Sequence, residues 1–370
     1  MRVERNALAA GGILESYKIL RVLGTGAFGI TYLVEEVQSS NLFAIKEYFP
    51  GNCAVRLSSG MVVESESERT RGFFQFGLAQ FINEAKVLAQ LSHPNIIAVR
   101  RYFKAVGSAY IVMDYCDGTS LSDVLKNRGT MTADGLRQIL FPLVDALSYL
   151  HRFGIFHRDI KPANIYINDR GIPILLDFGA ARLQLSATNE NGFLQVTDGF
   201  APPEQYAAQG VVGPWSDLYS LGCTCYFALM GVAPKPANQR MLLDSVSLLR
   251  DQGGSHVNSG AYGLIDQCIL LEPTKRPASA EFLKRELERI KFLPYVDRSE
   301  LLRADTRLSD DLKGKSSKWD RPPKRNDGFR VLIWFFVILI VFAAFVFLLE
   351  DKGKRASDDL PLRRMQIPIE

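Results

Sequence analysis

Three short strings carry residue types able to handle a phosphate ester. Gly24-Thr25-Gly26-Ala27-Phe28-Gly29 is a glycine-rich turn. His157-Arg158-Asp159-Ile160-Lys161-Pro162-Ala163-Asn164 brings together a carboxylate, an ammonium and an amide, and Asp177-Phe178-Gly179 adds a second carboxylate. Glycines at 24, 26 and 29 let backbone amides approach phosphate oxygens with no Cβ in the way. Asn164 and Asp177 offer the oxygen ligands that a hard cation such as Mg2+ requires. Asp159 is a candidate general base, a role worth ~10²–10⁴-fold in rate. Lys161 can neutralise charge on a phosphoryl group in transfer. The glycine string alone is weak evidence, because dinucleotide-binding folds use it too; here it sits in a hairpin between strands instead of opening a helix. The later pair is far more specific. An Asn five positions after Asp159, then Asp-Phe-Gly starting 13 residues beyond that Asn, has no comparable structural explanation.

In combination these strings resemble those of a protein kinase, over roughly residues 17 to 290, and are most similar to the bacterial eukaryotic-like (Hanks-type) serine/threonine kinases. The resemblance implies an α+β, bilobal fold within residues 17–292. The strand-rich N-lobe would cover about 17–113, the hinge 114–118 and the helical C-lobe about 119–292. It implies ATP as phosphoryl donor, with Mg2+ (or Mn2+ as a substitute) held by Asn164 and Asp177. Ala44-Ile45-Lys46 matches the strand-lysine motif, so Lys46 should contact the α and β phosphates, with Glu84 of Phe81-Ile82-Asn83-Glu84-Ala85 as its helix partner. Met113 would guard the back of the adenine pocket, and the backbone of 114–116, from Asp114 to Cys116, would pair with the base. Gly24, Thr25, Gly26, Ala27, Phe28, Gly29, Thr31 and Ala44 would cover the nucleotide. Asp159, Lys161 and Asn164 form the catalytic set, and Lys161 points to Ser/Thr acceptors.

By the same resemblance, Thr197 belongs to a substrate-positioning loop, Glu204 should form a buried ion pair with Arg276, and Asp217 should brace the catalytic-loop backbone. His157 reads as a packed scaffold histidine. Arg158 could receive a phosphate on the activation segment, where Ser186 and Thr188 are candidate autophosphorylation sites. Three positions depart from the family pattern: Thr31 stands where Val is usual, Pro202 where Ala is usual, and Tyr166 where a smaller aliphatic is common. None removes a catalytic group. Two alternatives are a nucleotide-binding pseudokinase scaffold and a small-molecule phosphotransferase. The intact Lys46, Glu84, Asp159, Asn164 and Asp177 argue against the first; Thr197, Glu204 and Arg276 argue against the second.

These groups need elements to hold them. Residues 17–33 alternate through the glycine turn as two strands, 42–46 form a third, and 109–113 form another that leads into the connector. Helical spacing is expected over 81–91, 121–127 and 134–153. Residues 1–14 read as a loose lead-in. Residues 47–80 read as an irregular insertion, with room for a small hairpin, between the third strand and the first helix.

The chain has 370 residues, a 47% hydrophobic fraction and a net charge of +4, which argues for a sizeable core and gives no case for nucleic acid. Five scattered cysteines suggest neither a disulfide framework nor a zinc site. Residues 293–330 form a charged linker. Residues 331–349, VLIWFFVILIVFAAFVFLL, carry no charge, proline or glycine and suit a transmembrane helix across a ~30 Å hydrocarbon core. Residues 350–370 are a short charged tail. Lys313, Lys315, Lys318, Arg321, Lys324, Arg325 and Arg330 precede the apolar run, and Lys352, Lys354, Arg355, Arg363 and Arg364 follow it. That balance leans toward an inward-facing kinase lobe on a single-pass inner or plasma membrane protein. Expected partners are Ser/Thr-bearing protein substrates and the lipid bilayer; a homodimer is left open.

Overall fold

The computed structural model describes residues 6–57, 63–177, 196–207, 209–252 and 256–292. The chain divides into two units, Met1–Tyr295 and Val296–Glu370, and every described residue falls in the first. The linker 293–330, the apolar run 331–349, the tail 350–370, Phe178, Gly179, Ser186 and Thr188 lie outside the described residues. Among the described residues no helix is long and apolar enough to cross a membrane.

The upper part is an antiparallel sheet of six strands: β1 (Ile13–Leu14), β2 (Tyr17–Thr25), β3 (Gly29–Glu36), β4 (Leu42–Tyr48), β7 (Val99–Ala105) and β8 (Ser108–Asp114), in the order β1-β2-β3-β4-β8-β7. Strand alternation decides what each face does. The register sets Lys46 beside Thr31 and Ile111, and Ala44 beside Leu33 and Met113. It sets Glu47 beside Ile30 and Tyr110, and Ile45 beside Tyr32 and Val112. The first face is turned to a cleft. The second is fully buried, with Ile30, Tyr32, Ile45, Glu47, Tyr110 and Val112 all at 0% exposure.

Its cover comes from two segments, the lead-in before β2 and the insertion after β4. From Asn6 onward the lead-in is not loose: Leu8 and Leu14 are buried, and β1 pairs with β2 through Leu14 and Tyr17. The insertion is shorter than expected, because α1 begins at Glu68, and it carries the small hairpin for which the sequence leaves room. The hairpin pairs β5 (Ala54–Arg56) with β6 (Val63–Ser65). Helix α1 then runs Glu68–Leu88, starting well before residue 81 and stopping short of Leu91. Ser67 caps it: its hydroxyl accepts from the Thr70 amide while the Thr70 hydroxyl accepts from the Ser67 amide, a reciprocal capping box. Phe74, Leu78, Phe81, Ala85 and Leu88 make the buried stripe. The exposed Phe73 and Phe76 and two internal glycines blur that periodicity in the sequence.

The lower part is helical, with α2 (Leu121–Arg128), α3 (Ala133–Arg152), α4 (Pro214–Met230), α5 (Ala237–Arg240), α6 (His256–Cys268) and α7 (Ala280–Arg289). Thr132 caps α3 through the Gly135 amide. Along α3, Leu136, Leu140, Leu143, Leu147 and Leu150 are buried, each worth ~1.5–3 kcal/mol when removed from water. Helix α4 begins at Pro214, whose missing N–H costs nothing at that position, and ends on Gly231 at φ 74. It is buried along most of its length. A small sheet, β11-β10-β9 (Pro173–Leu175, Ile165–Asn168 and Gly118–Ser120), lies at the cleft floor. The loop before β7 pins this floor: the Leu175 amide donates to Asn95 O (2.9 Å) and the Ile97 amide to Leu175 O (3.1 Å). The bilobal α+β arrangement is therefore as expected.

Candidate active site

A cleft of about 910 Å³ opens between the sheet and the helical part. Every residue assigned above to catalysis or nucleotide binding lines it, from Gly24 through Gly29 to Thr31, Ala44, Lys46, Glu84, Asp114, Cys116, Asp159, Lys161, Asn164 and Asp177. Met113 and Tyr166 line it too, as do Val99, Ile111 and Leu176, apolar walls that no short motif marks.

The roof is the turn between β2 and β3. The Gly26 amide donates to Gly29 O (2.8 Å) and closes it. A Cβ at residue 29 would fall 2.3 Å from Glu47 O, so only glycine fits there.

Lys46 projects from β4 and forms an ion pair with Asp177. Burial alone would depress the ammonium, but Asp177, then Glu84 and Asp159, outweigh it and hold the Lys46 pKa above its ordinary value. Lys46 is therefore a fixed cation. Glu84 is buried on α1 and acts on Lys46 through its field; the direct carboxylate contact of Lys46 is with Asp177 instead.

On the floor, one carboxylate collects three donors. Asp159 Oδ1 accepts from the Thr197 hydroxyl (2.8 Å). Asp159 Oδ2 lies 2.8 Å from Lys161 Nζ and accepts from Asn164 Nδ2 (2.9 Å). Lys161 also donates to the Thr197 hydroxyl (3.0 Å). Asn164 Nδ2 makes a further bond to Asp159 O (2.8 Å). Both amide protons are thus committed inward, which leaves Oδ1 as the atom available to a cation. Asn164 and Asp177 together supply hard oxygen donors and so fit a magnesium ion.

Asp217, at the start of α4 and 0% exposed, holds the loop beneath. Its Oδ2 accepts from the His157 amide (2.9 Å) and its Oδ1 from the Arg158 amide (2.8 Å). His151 Nε2 is 2.9 Å from Oδ2. Burial pushes this carboxyl upward, but His151, His157 and the Arg158 amide outweigh it, and its pKa lies below the ordinary value. The clamp secures a strained backbone, since Arg158 sits at φ 65, a conformation that costs about 1–3 kcal/mol. His157 is a scaffold residue, as expected: Nε2 meets Leu176 O (2.9 Å) and Nδ1 accepts from the Asp159 amide (3.3 Å).

The platform beside the floor is tied down by Arg276. Its guanidinium makes a two-pronged contact with Glu204 (2.7 and 3.0 Å) and donates to Leu270 O, Leu271 O and Trp215 O. Both charged groups are buried. The adjoining Gln205, which no sequence argument singled out, donates to Arg158 O (2.9 Å) and joins platform to floor.

The protein kinase domain model matches residues 17–287. The chain belongs to the protein kinase family. Its kinase domain is similar to serine/threonine-protein kinase PknJ of Mycobacterium tuberculosis, 35% identical over 233 residues, covering 61% of this chain and 36% of that protein. It is similar also to serine/threonine-protein kinase D of Synechocystis, 31% identical over 289 residues, covering 74% of this chain and 52% of that one. The chain thus spans about a third to a half of these relatives' lengths. Among solved structures the kinase domain is similar to the PpkA-294 apo form, at TM-score 0.68 and 32% identity, covering 76% of this chain and 99% of that one.

Proposed function

We propose that this chain is an ATP-dependent serine/threonine protein kinase that is held at the inner or plasma membrane by residues 331–349, with the kinase domain on the cytoplasmic side. The observation that carries the catalytic reading is the Asp159 carboxylate, oriented by Thr197, Lys161 and Asn164 in the same cleft as the Lys46–Asp177 pair.

Lys46, kept charged, would draw the donor's phosphates toward the roof. Asp159 would align the acceptor hydroxyl and take its proton. Lys161, beside the same carboxylate, would stabilise the charge of the phosphoryl group in transit. Asn164 and Asp177 would hold a magnesium ion, which would supply neutralisation of phosphate charge. The Glu204–Arg276 platform next to the floor suits an extended protein acceptor. Nothing in this arrangement favours the pseudokinase scaffold.

Labelled ATP with a generic protein acceptor tests the reading. The unaltered chain should transfer label to Ser and Thr, and Asp159→Asn should lose ~10²–10⁴-fold of that rate. Transfer by neither protein would overturn it. The anchor rests on the uninterrupted apolar run at 331–349. Deleting that run should move the chain from the membrane fraction to the supernatant; an unchanged distribution would remove the anchor from the proposal.

A further inference from the structure

The buried face of the upper sheet holds a charged group that the chemistry above does not use. Glu47 follows Lys46 on β4, so its side chain leaves the opposite face of the sheet. It is 0% exposed. Its Oε2 accepts from Tyr32 Oη (2.7 Å) and from Arg56 Nη2 (2.6 Å), and its Oε1 accepts from Tyr110 Oη (2.8 Å). Tyr32 Oη in turn accepts from the Leu8 amide (3.1 Å), and Arg56 Nε donates to Asn6 O. Burial, then Glu47, pushes both phenols far up, so both stay protonated donors.

Arg56 belongs to the stretch between β4 and α1, whose described residues 49–57 and 63–67 make contacts with several parts of the roof. The Phe49 amide donates to Phe28 O (2.9 Å) and the Gly51 amide to Ala27 O (3.3 Å), tying down the glycine turn. The Val63 amide donates to Val106 O (2.8 Å) at the β7–β8 turn. The Glu66 amide donates to Cys53 O (2.9 Å), immediately before the cap of α1. The Arg56 guanidinium also covers the Phe49 ring, 5.3 Å from its centroid.

We propose that Glu47, neutralised by Arg56, is a positioning residue for Lys46, and that the described residues 49–57 and 63–66 serve as a strut that keeps glycine turn, lysine strand and α1 in one register. The inference rests on the kinase reading of the cleft. Its physical content is simple. A carboxylate buried with its cation missing must either take up a proton or shift toward water, and a shift of Glu47 carries with it the strand whose previous residue is Lys46. Active-site groups tolerate displacements of about 0.5 Å, and a displacement of about 1 Å can cost ~10²-fold.

The test uses the full chain and two independent readouts: the dissociation constant of a fluorescent ATP analogue, and kcat with KM for ATP. Both are taken below each variant's melting midpoint. Arg56→Met should weaken nucleotide binding and lower kcat/KM by roughly 10–100-fold. Arg56→Lys should recover part of the loss, and the pair Glu47→Gln with Arg56→Met should recover part as well, because no charge is then stranded. Leu147→Ala, a core change in α3, should lower the melting midpoint and leave the analogue's affinity as it was. If Arg56→Met folds, melts earlier and binds the analogue like the unaltered chain, the proposal fails. Should Arg56→Met not fold, Tyr110→Phe removes one donor to Glu47 and is read by the same two outcomes. An unaltered chain that binds the analogue but transfers no phosphate would overturn the kinase reading and leave the binding comparison intact.

Discussion

The Thr197 hydroxyl donates to Asp159 Oδ1 at 2.8 Å while accepting from Lys161 Nζ at 3.0 Å. One small side chain thereby fixes both the proposed base and the proposed phosphoryl-charge stabiliser. Thr197→Val removes the donor and the acceptor together but leaves both charged groups. Its expected effect is a fall in kcat smaller than that of Asp159→Asn, with KM for ATP little changed, because nucleotide affinity resides at the roof. Thr197→Ser, which keeps the hydroxyl, should stay close to the unaltered rate. Steady-state kinetics on the three variants decides; equal losses in Ser and Val variants would assign Thr197 a packing role only.

The Glu204–Arg276 pair is buried on both sides. Arg276→Met strands a carboxylate, a loss of about 3–5 kcal/mol. For a domain of this size that corresponds to a fall in melting temperature of roughly 6–20 °C. Calorimetry of Arg276→Met against the pair Glu204→Leu with Arg276→Met should show partial recovery in the pair. Recovery stays partial because Leu270 O, Leu271 O and Trp215 O lose their donors as well. A single variant that melts with the unaltered chain would contradict this account.

Asp217 makes acid stability a property of the catalytic-loop clamp. Its folded-state pKa is depressed, so its contribution is fully present above the unfolded carboxyl's pKa, ~3.9. It is lost as pH falls through the lower folded value. Urea midpoints should therefore drop steeply below about pH 4 in the unaltered chain. In Asp217→Asn they should start lower at neutral pH and drop less on acidification. Parallel pH profiles for the two proteins would remove Asp217 from the acid limb.

Cys116 lines the cleft at the connector between the lobes. Burial, then Asp117 and Asp169, push its thiol up from the ordinary value. The thiolate is the reactive form, so alkylation by iodoacetamide should be slow at neutral pH and accelerate in alkaline buffer. MgATP should protect the site, and peptide mass spectrometry separates it from the four buried cysteines. Rapid neutral-pH labelling that nucleotide does not slow would contradict both the thiol's environment and its place in the cleft.

The catalytic floor was legible in the sequence because its chemistry needs side chains at fixed spacings: Asp159, Lys161, Asn164 and Asp177 could be named from their strings. Lys46 and Glu84 required the family resemblance, since a lone lysine and a lone glutamate are ordinarily surface charges. Residues 47–80 were opaque for a physical reason. Alternation is visible in strands of some length with one face in solvent, but here the cover of the sheet's buried face comes from β5 and β6, three residues each, and from Arg56. The start of α1 was hidden by its two glycines and exposed phenylalanines, although Ser67 and Thr70 mark it in retrospect. The apolar walls Val99 and Ile111 and the bridging Gln205 carry no local pattern at all; their roles come from what lies across the cleft.

The family match begins at Tyr17, and an experimenter trimming to that boundary would cut away Asn6 and Leu8. The Tyr32 hydroxyl would then lose its amide donor, Arg56 would lose a carbonyl, and the apolar back of the sheet would be opened to water. Such a shortened protein would be expected to clump during purification, so a soluble, well-behaved sample calls for residues 6–16 to be kept.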